Sequence, residues 1–214
     1  MADRPLVLLA RHGETAWNVE GRIQGHLDVP LSPRGVEQAA ALARRLAAEG
    51  VAALVSSPLR RARDTAEAVS AATGRPVAFD DGLKEQDLGR WQGLTFAEAG
   101  RRDPDLARRF GARDPDARPP EGETRGEMAD RAWAALHRLA PAGAPGPVVL
   151  VTHGGPIMTI LFRVLGLPPD APRRFLCPNA GLSALVPSNG VWYARTISDV
   201  AHLSGPADDR FPFE

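Results

Sequence analysis

Two short apolar runs, Leu6 to Ala10 and Val148 to Val151, each stop abruptly and are followed within three residues by a histidine and a glycine. The first runs out into Arg11-His12-Gly13, the second into Thr152-His153-Gly154-Gly155. Runs of four or five Leu, Val and Ala residues bounded in this way read as buried strands of a parallel sheet. Ligands of such a sheet bind beyond the carboxyl ends of its strands. A third segment, AALVSSPLRRAR (52–63), passes from apolar residues into Ser56, Ser57, Arg60 and Arg61. Three strands are therefore expected to deliver two imidazoles and several guanidiniums to one edge of one sheet.

The remaining elements can be placed around those strands. Ser32 and Pro33 form an N-cap and first-turn pair for a helix to about Glu49, closed by Gly50. Val36, Ala40, Ala43 and Leu46 or Ala47 would be its core-facing stripe. Ser57-Pro58 is a second cap-like start, for a helix to about Ala72 ended by Gly74, and PVAF (76–79) reads as a strand. Residues 81–93 are irregular and carry Glu85, Asp87, Trp91 and Gln92. Two short helices broken at Asp103-Pro104 are expected between Thr95 and Gly111. Residues 111–122 read as an exposed loop, and Thr124 with Glu127 as the capping box of a helix to about Leu139. A helix over Gly155 to Leu165 follows the second His-Gly strand. LSALV (182–186) and VWYARTI (191–197), joined by Pro-Ser-Asn-Gly, predict a hairpin, and the tail from Ala201 reads as loosely held. Strand and helix alternate, so the expected fold is α/β: a three-layer α/β/α sandwich with a mostly parallel sheet and an antiparallel edge hairpin. One domain over residues 1–214 accommodates it.

Composition excludes several functions. The 26 basic and 26 acidic residues balance without long runs of either sign, so neither nucleic acid nor an anionic membrane surface is an expected partner. Cys177 is alone, which rules out an internal disulfide and a cysteine-based zinc site. LVLLA is too short for a signal-peptide core and no apolar stretch reaches membrane length, so a cytoplasmic protein is expected. Lys84 is the only lysine. Arginine abundance of this kind supports no functional claim, and only arginines inside a motif do.

Four blocks in chain order carry a resemblance: R-H-G-E-T-x-x-N from Arg11, S-x-P-L-x-R-A-x-x-T-A from Ser56, L-x-E-x-x-x-G-x-W-x-G from Leu83, and T-H-G-G from Thr152. Together they resemble the histidine phosphatase superfamily, also called the phosphoglycerate mutase-like family, from Leu6 to about Pro156. Phosphoryl transfer without a metal needs fixed cations at the transferring oxygens. Arg11 and Arg61 are the candidates, because a guanidinium stays charged and offers a planar fork to two oxygens. Arg60 competes with Arg61, and the family pattern, in which the arginine directly precedes the alanine, selects Arg61. His12 is the candidate nucleophile, kept neutral by those arginines. The resemblance implies a phosphohistidine at His12, with His153 hydrogen-bonding the phosphoryl oxygens and Glu85 as proton donor to the leaving oxygen. It further implies substrate-phosphate contacts from Asn18, Gln24 and Gly25, and a G-E-S/T element at Glu123-Thr124 beside the site. His26, His137 and His202 match no motif; the helical position of His137 suggests a structural role.

No phosphate-binding P-loop and no HExxH occur, and converging arginines would repel a divalent ion, so neither a metal nor a cofactor is expected. Three functions then compete. One is a phosphomonoesterase acting on a small phosphorylated metabolite. The others are a cofactor-dependent phosphoglycerate mutase and a non-catalytic module that binds a phospho-ligand. The presence of nucleophile, cations and acid together disfavours the last. Mutases of this family carry a longer insertion before the G-E-S/T element and a basic tail. Here only about 28 residues separate Gly93 from Gly122, and the tail SGPADDRFPFE is acidic. The paired Arg108-Arg109 could imitate the mutase arginines. The phosphatase is the leading expectation, with a small phosphomonoester as partner and a homo-oligomer left open.

Overall fold

A computed structural model describes residues 5–203. Six strands form one sheet in the order β3-β2-β4-β1-β5-β6. β1 (Val7–Arg11) lies beside β4 (Val148–Thr152), β4 beside β2 (Ala53–Ser56), and β2 beside β3 (Val77–Phe79), all parallel. β5 (Leu182–Ser188) runs antiparallel to β1, and β6 (Val191–Asp199) pairs antiparallel with β5 as the edge.

The alternation of strand side chains explains the three layers. Val7 and Leu9 of β1, with Val148 and Leu150 of β4, face one cluster. There they meet Ala132, Ala135 and Leu136 of α6 (Arg125–Leu139) and Ile157, Ile160 and Leu161 of α7 (Gly154–Val164). The intervening Leu8, Ala10, Val149 and Val151 face the opposite cluster, against Leu42, Ala43 and Leu46 of α2 (Pro33–Ala47) and Ala62, Ala66 and Val69 of α3 (Arg60–Thr73). A smaller cluster, Ile23, Leu88, Trp91, Ala99, Phe110 and Ala117, lies beneath α4 (Phe96–Arg102) and α5 (Pro104–Gly111). The break at Asp103-Pro104 and the Thr124–Glu127 capping box occur as the sequence predicts.

Three local expectations are corrected. Val36 and Ala47 face solvent, and Gly35, Ala39, Leu42, Ala43 and Leu46 make the buried stripe of α2. The rotation follows from a close approach of two glycine backbones. A Cβ on Gly35 would lie 2.0 Å from the Glu14 carbonyl oxygen, and one on Gly13 would lie 2.4 Å from that of Gly35. Ser32 secures the same junction: its hydroxyl caps Gly35 and bonds Glu14 Oε1, and its N–H donates to the Glu14 carbonyl. The second correction concerns Ser57, which does not cap α3. The N-cap is Leu59, with no side-chain cap, and the Ser57 hydroxyl is used elsewhere. The segment 111–122 is only partly exposed, since Ala117 and Pro119 are buried in it. Among the described residues no helix is long and apolar enough to cross a membrane. Of the tail expected from Ala201, residues 201–203 are described, and residues 204–214, with its acidic side chains, lie outside the described residues.

Gly35→Ala should lower stability by about 1–3 kcal/mol, because the added methyl meets backbone that cannot yield. Gly111→Ala, at the exposed end of α5 with nothing within 4 Å, should leave stability unchanged or raise it by about 0.5 kcal/mol. Urea unfolding of the two variants checks the contrast.

Candidate active site

The strand register assembles the site. Arg11 pairs with Thr152, so the residues that follow, His12 and His153, leave adjacent strands side by side. Their ring centroids are 5.1 Å apart. On the far side of β4, the Ser57 N–H donates to the Val151 carbonyl, and this brings the Ser57 hydroxyl 2.8 Å from His153 Nε2. Arg61, in the first turn of α3, lies beneath the same edge and is 1% exposed. Arg60 points outward and pairs with Asp64.

His12 is buried and hydrogen-bonded through Nδ1 to the Gly13 carbonyl at 2.7 Å. A carbonyl only accepts, so Nδ1 carries the proton and the Nε2 lone pair is free. Burial, then the Arg61 and Arg11 guanidiniums, hold His12 well below its ordinary pKa of 6.5. His153 is lowered by burial and then Arg61, with His12, Arg11 and Arg131 adding to it. The Ser57 hydroxyl accepts from the Leu59 N–H and can donate to His153 Nε2, which leaves His153 Nδ1–H as a donor with no partner. Arg61 donates to the Gly25 and Leu27 carbonyls and Arg11 to the Cys177 carbonyl, yet the Nε of each is buried and unpaired. Burial brings Arg61 down to about 10, against the pull of Glu85, so it stays charged at neutral pH. Three buried donors without acceptors thus surround one neutral imidazole. Buried polar groups are rarely left so, and these would be met by an anion.

Glu85 sits outside the sheet on a segment tied down from three directions. Thr152, the last residue of β4, donates its hydroxyl to the Leu83 carbonyl at 2.6 Å. Arg131 on α6 donates to the carbonyls of Gly82, Lys84 and Glu85. Glu123 grips the same guanidinium and accepts from the Asp87 N–H, and His26 Nε2 donates to the Glu85 carbonyl. The carboxylate is thereby presented to the N-terminus of α7, where Oε2 accepts the Gly155 N–H at 3.1 Å, a favourable end for negative charge. Gly155 must lack a side chain, since a Cβ there would lie 2.1 Å from Glu85 Oε1.

Asn18 has a structural task. Its Oδ1 accepts from Thr15 to complete the capping box of α1 (Ala16–Glu20), so only its NH2 can serve a ligand. Gln24 is buried with Oε1 unpartnered. Gly25 has φ +50, and a Cβ there would lie 2.1 Å from Gln92 Oε1, so any side chain at this position would be strained. Ser57, Thr65, His26, Gln92, Arg131 and Asn179 support the site; Thr65 is the fixed threonine of the second block, and the others hold no fixed place in the four blocks. Asn179 donates to the His12 carbonyl and Thr65 accepts from the Gly13 N–H. His26 directly follows the Gln24-Gly25 pair, and Arg131 lies two helical turns beyond Glu123; those two had a signal in their spacing. Arg108 and Arg109 are exposed on α5 and pair with Asp105 and Asp114. His137 packs against Trp133 and Trp192. Among the described residues, no cluster of three or more His, Cys, Asp or Glu is arranged to hold a metal ion.

Comparison with known proteins agrees with this geometry. The family model for the histidine phosphatase superfamily (branch 1) matches residues 7–200. A glucosyl-3-phosphoglycerate phosphatase of Mycolicibacterium vanbaalenii is 45% identical over 79% of this chain and 78% of that protein. A probable phosphoglycerate mutase, GpmB of Escherichia coli O1:K1, is 35% identical over 95% of this chain and 97% of that protein. Among solved structures, the phosphoserine phosphatase of Entamoeba histolytica in complex with 3-phosphoglyceric acid superposes with a TM-score of 0.84. It is 27% identical, and the match covers 94% of this chain and 100% of that one.

The two lowered imidazoles set a pH dependence. Unfolded, each histidine takes up a proton near pH 6.5, and folded it resists until lower pH, so acid favours the unfolded chain. Stability contributed by these groups should be level above about pH 7.5 and fall below pH 6.5, each imidazole adding up to about 1.4 kcal/mol per pH unit. Urea unfolding at pH 7.5, 6.5 and 5.5 measures the slope, and His153→Gln should reduce it.

Proposed function

Because the chain belongs to the histidine phosphatase superfamily, we propose that it is a phosphomonoesterase that passes the phosphoryl group of a small metabolite through His12 to water, without a metal. The observation that carries this reading is the set of unpartnered buried donors, Arg11 Nε, Arg61 Nε and His153 Nδ1, around a histidine whose Nε2 lone pair is free. In the first step His12 Nε2 attacks phosphorus in line, the P–O bond to the alcohol breaks, and the Glu85 carboxyl gives its proton to the departing oxygen. The three donors bind the equatorial oxygens, where charge is concentrated in the transition state. In the second step Glu85 takes a proton from water as the water attacks phosphorus. The P–N bond breaks, inorganic phosphate leaves and neutral His12 returns. Gln24 and Gly25 frame the phosphoryl group, and Asn18 contributes its NH2. Arginines around the imidazoles, where carboxylates would suit a divalent ion, support a metal-free reaction.

The relatives named as phosphatases favour water as acceptor, and the probable mutase at 35% identity makes an alcohol the alternative. A mutase must shelter its phosphoenzyme and hold a second acidic group while the intermediate reorients. Arg108 and Arg109 are turned to their own aspartates, which supports water.

Brief incubation with a labelled phosphomonoester, quenched in acid or in alkali, should yield an acid-labile, alkali-stable adduct that His12→Ala abolishes together with turnover. Chelation should leave the rate intact. With 3-phosphoglycerate and a trace of 2,3-bisphosphoglycerate, 2-phosphoglycerate should not accumulate. Isomerisation faster than phosphate release would replace the hydrolase by a mutase, and wild-type turnover in His12→Ala would remove the covalent route.

Glu85→Gln keeps the size of the side chain and loses the titrating group. It should slow alkyl phosphates by about 10²–10⁴-fold and aryl phosphates much less, because good leaving groups need little protonation. An equal loss for both classes would move the acid elsewhere.

A further inference from the structure

His26 stands between the two halves of the site, outside the four sequence blocks. It directly follows Gln24 and Gly25, the pair that frames the phosphoryl group. Arg61 donates to the carbonyls on either side of it, Gly25 at 2.8 Å and Leu27 at 3.0 Å. The His26 N–H donates to Gln92 Oε1, and Ile23 exchanges backbone hydrogen bonds with Gly93 and Leu94, each at 2.8 Å. The guanidinium assigned to the phosphoryl oxygens therefore also sets the place of residue 26.

From that place the imidazole reaches across to the acid. Nε2 lies 2.8 Å from the Glu85 carbonyl, and a carbonyl only accepts, so Nε2 carries a proton. Arg131 of α6 donates to the same oxygen at 2.6 Å, so the two donors use both of its lone pairs. On the other side of the ring, Nδ1 faces Asp87 Oδ2 at 3.8 Å. Asp87 is itself held by Glu123 through both its N–H and its carbonyl. Arg131 ties the acid's segment to α6, and Thr152 ties it to β4. Among the described residues, the His26 imidazole makes the one side-chain hydrogen bond from loop residues 21–31 to residues 83–87. The side chain is 32% exposed and belongs to none of the apolar clusters, so packing does not account for it.

Proton transfer demands a carboxyl within hydrogen-bond reach of the departing oxygen. The phosphoryl group takes its place from Gly25 and Arg61, the carboxyl from residues 83–87, and a displacement of about 1 Å between such groups costs about 10²-fold in rate. We propose that His26 is a positioning residue for this proton transfer, fastening the Glu85 carbonyl to the loop that holds the phosphoryl group. It acts through Glu85 and touches no reacting atom. Its removal therefore slows esters in proportion to how much protonation their leaving group needs, and leaves phosphate affinity in place. This role rests on the phosphatase reading for Glu85 as the acid.

Two esters separate the roles: 4-nitrophenyl phosphate, whose leaving group needs little protonation, and 3-phosphoglycerate, whose alkoxide needs it. In His26→Leu, kcat for 3-phosphoglycerate should fall about 10–100-fold, and at least about fivefold more than kcat for 4-nitrophenyl phosphate. His26→Gln, whose amide nitrogen is as many bonds from Cα as Nε2 is, should return kcat to within about threefold of wild type. Added to Glu85→Gln, His26→Leu should cost no more than about twofold further, since the acid it places is gone. Two readings need no turnover, and each variant is checked for a cooperative melt. Calorimetry should find vanadate bound by His26→Leu within about threefold of wild type, because Arg61 still holds the loop. The carboxyl-carbon NMR signal of Glu85, assigned by its loss in Glu85→Gln, should shift in His26→Leu and return in His26→Gln. Equal losses for the two esters in His26→Leu, a full further loss in Glu85→Gln, weakened vanadate binding or an unmoved Glu85 signal would overturn the positioning role and leave Glu85 as the acid. Equal losses for the two esters in Glu85→Gln itself would remove the acid, and this role with it.

Discussion

A neutral imidazole held dry between two guanidiniums is the constraint around which this molecule is arranged. His12 would gain from water as a cation and from bulk solvent as a base, and it is given neither. The hydrogen bond of its ring to the Gly13 carbonyl decides which nitrogen is free. Placing positive charge next to it costs energy in a medium of low dielectric, and the rigid backbone around it sustains that cost. The glycine contact between Gly13 and Gly35 belongs to that scaffold, because it locks the loop carrying His12 onto the end of α2.

The candidate reacting groups stand on two differently supported platforms. His12 and His153 end adjacent central strands, so their spacing is set by a hydrogen-bond ladder with little freedom. Glu85 lies on irregular backbone, where Arg131, Glu123, Thr152 and His26 each supply a bond that the sheet cannot. A carboxylate placed that way depends on side chains from α6 and β4 closing around it. Arg131 is therefore a positioning residue, acting through the carbonyls it holds.

Much of this was legible in the sequence because the relevant signals are local. An apolar run ending in His-Gly states both a buried strand and its polar end, and Thr124-x-x-Glu127 states a helix start, without knowledge of partners. The family pattern singled out Arg61 over Arg60, and the two residues do point to opposite surroundings, one buried and one paired with Asp64. What stayed hidden depends on contacts distant in sequence. Val36 fits a helical stripe by spacing, but the stripe is turned by a glycine contact with residues 13 and 14. Ser57 looks like a cap by type, yet β4 places His153 where its hydroxyl can be used. Asn179 lies in a loop with no periodicity, and only the folded chain brings it 3.1 Å from the His12 carbonyl.

The order of the strands also has a consequence during synthesis. The partner that completes β1 on one side, β4, begins about 140 residues later, and the partner on its other side, β5, later still. Strand β1 must therefore wait, while about 140 further residues are made, with both hydrogen-bonding edges unsatisfied. Helices α2 and α3, with β2 and β3, can form while it waits, but the sheet cannot close around its centre until the last third of the chain appears. The segment that carries His12 is thus long exposed to mispairing, and a nascent-chain holdase has a valuable target in β1.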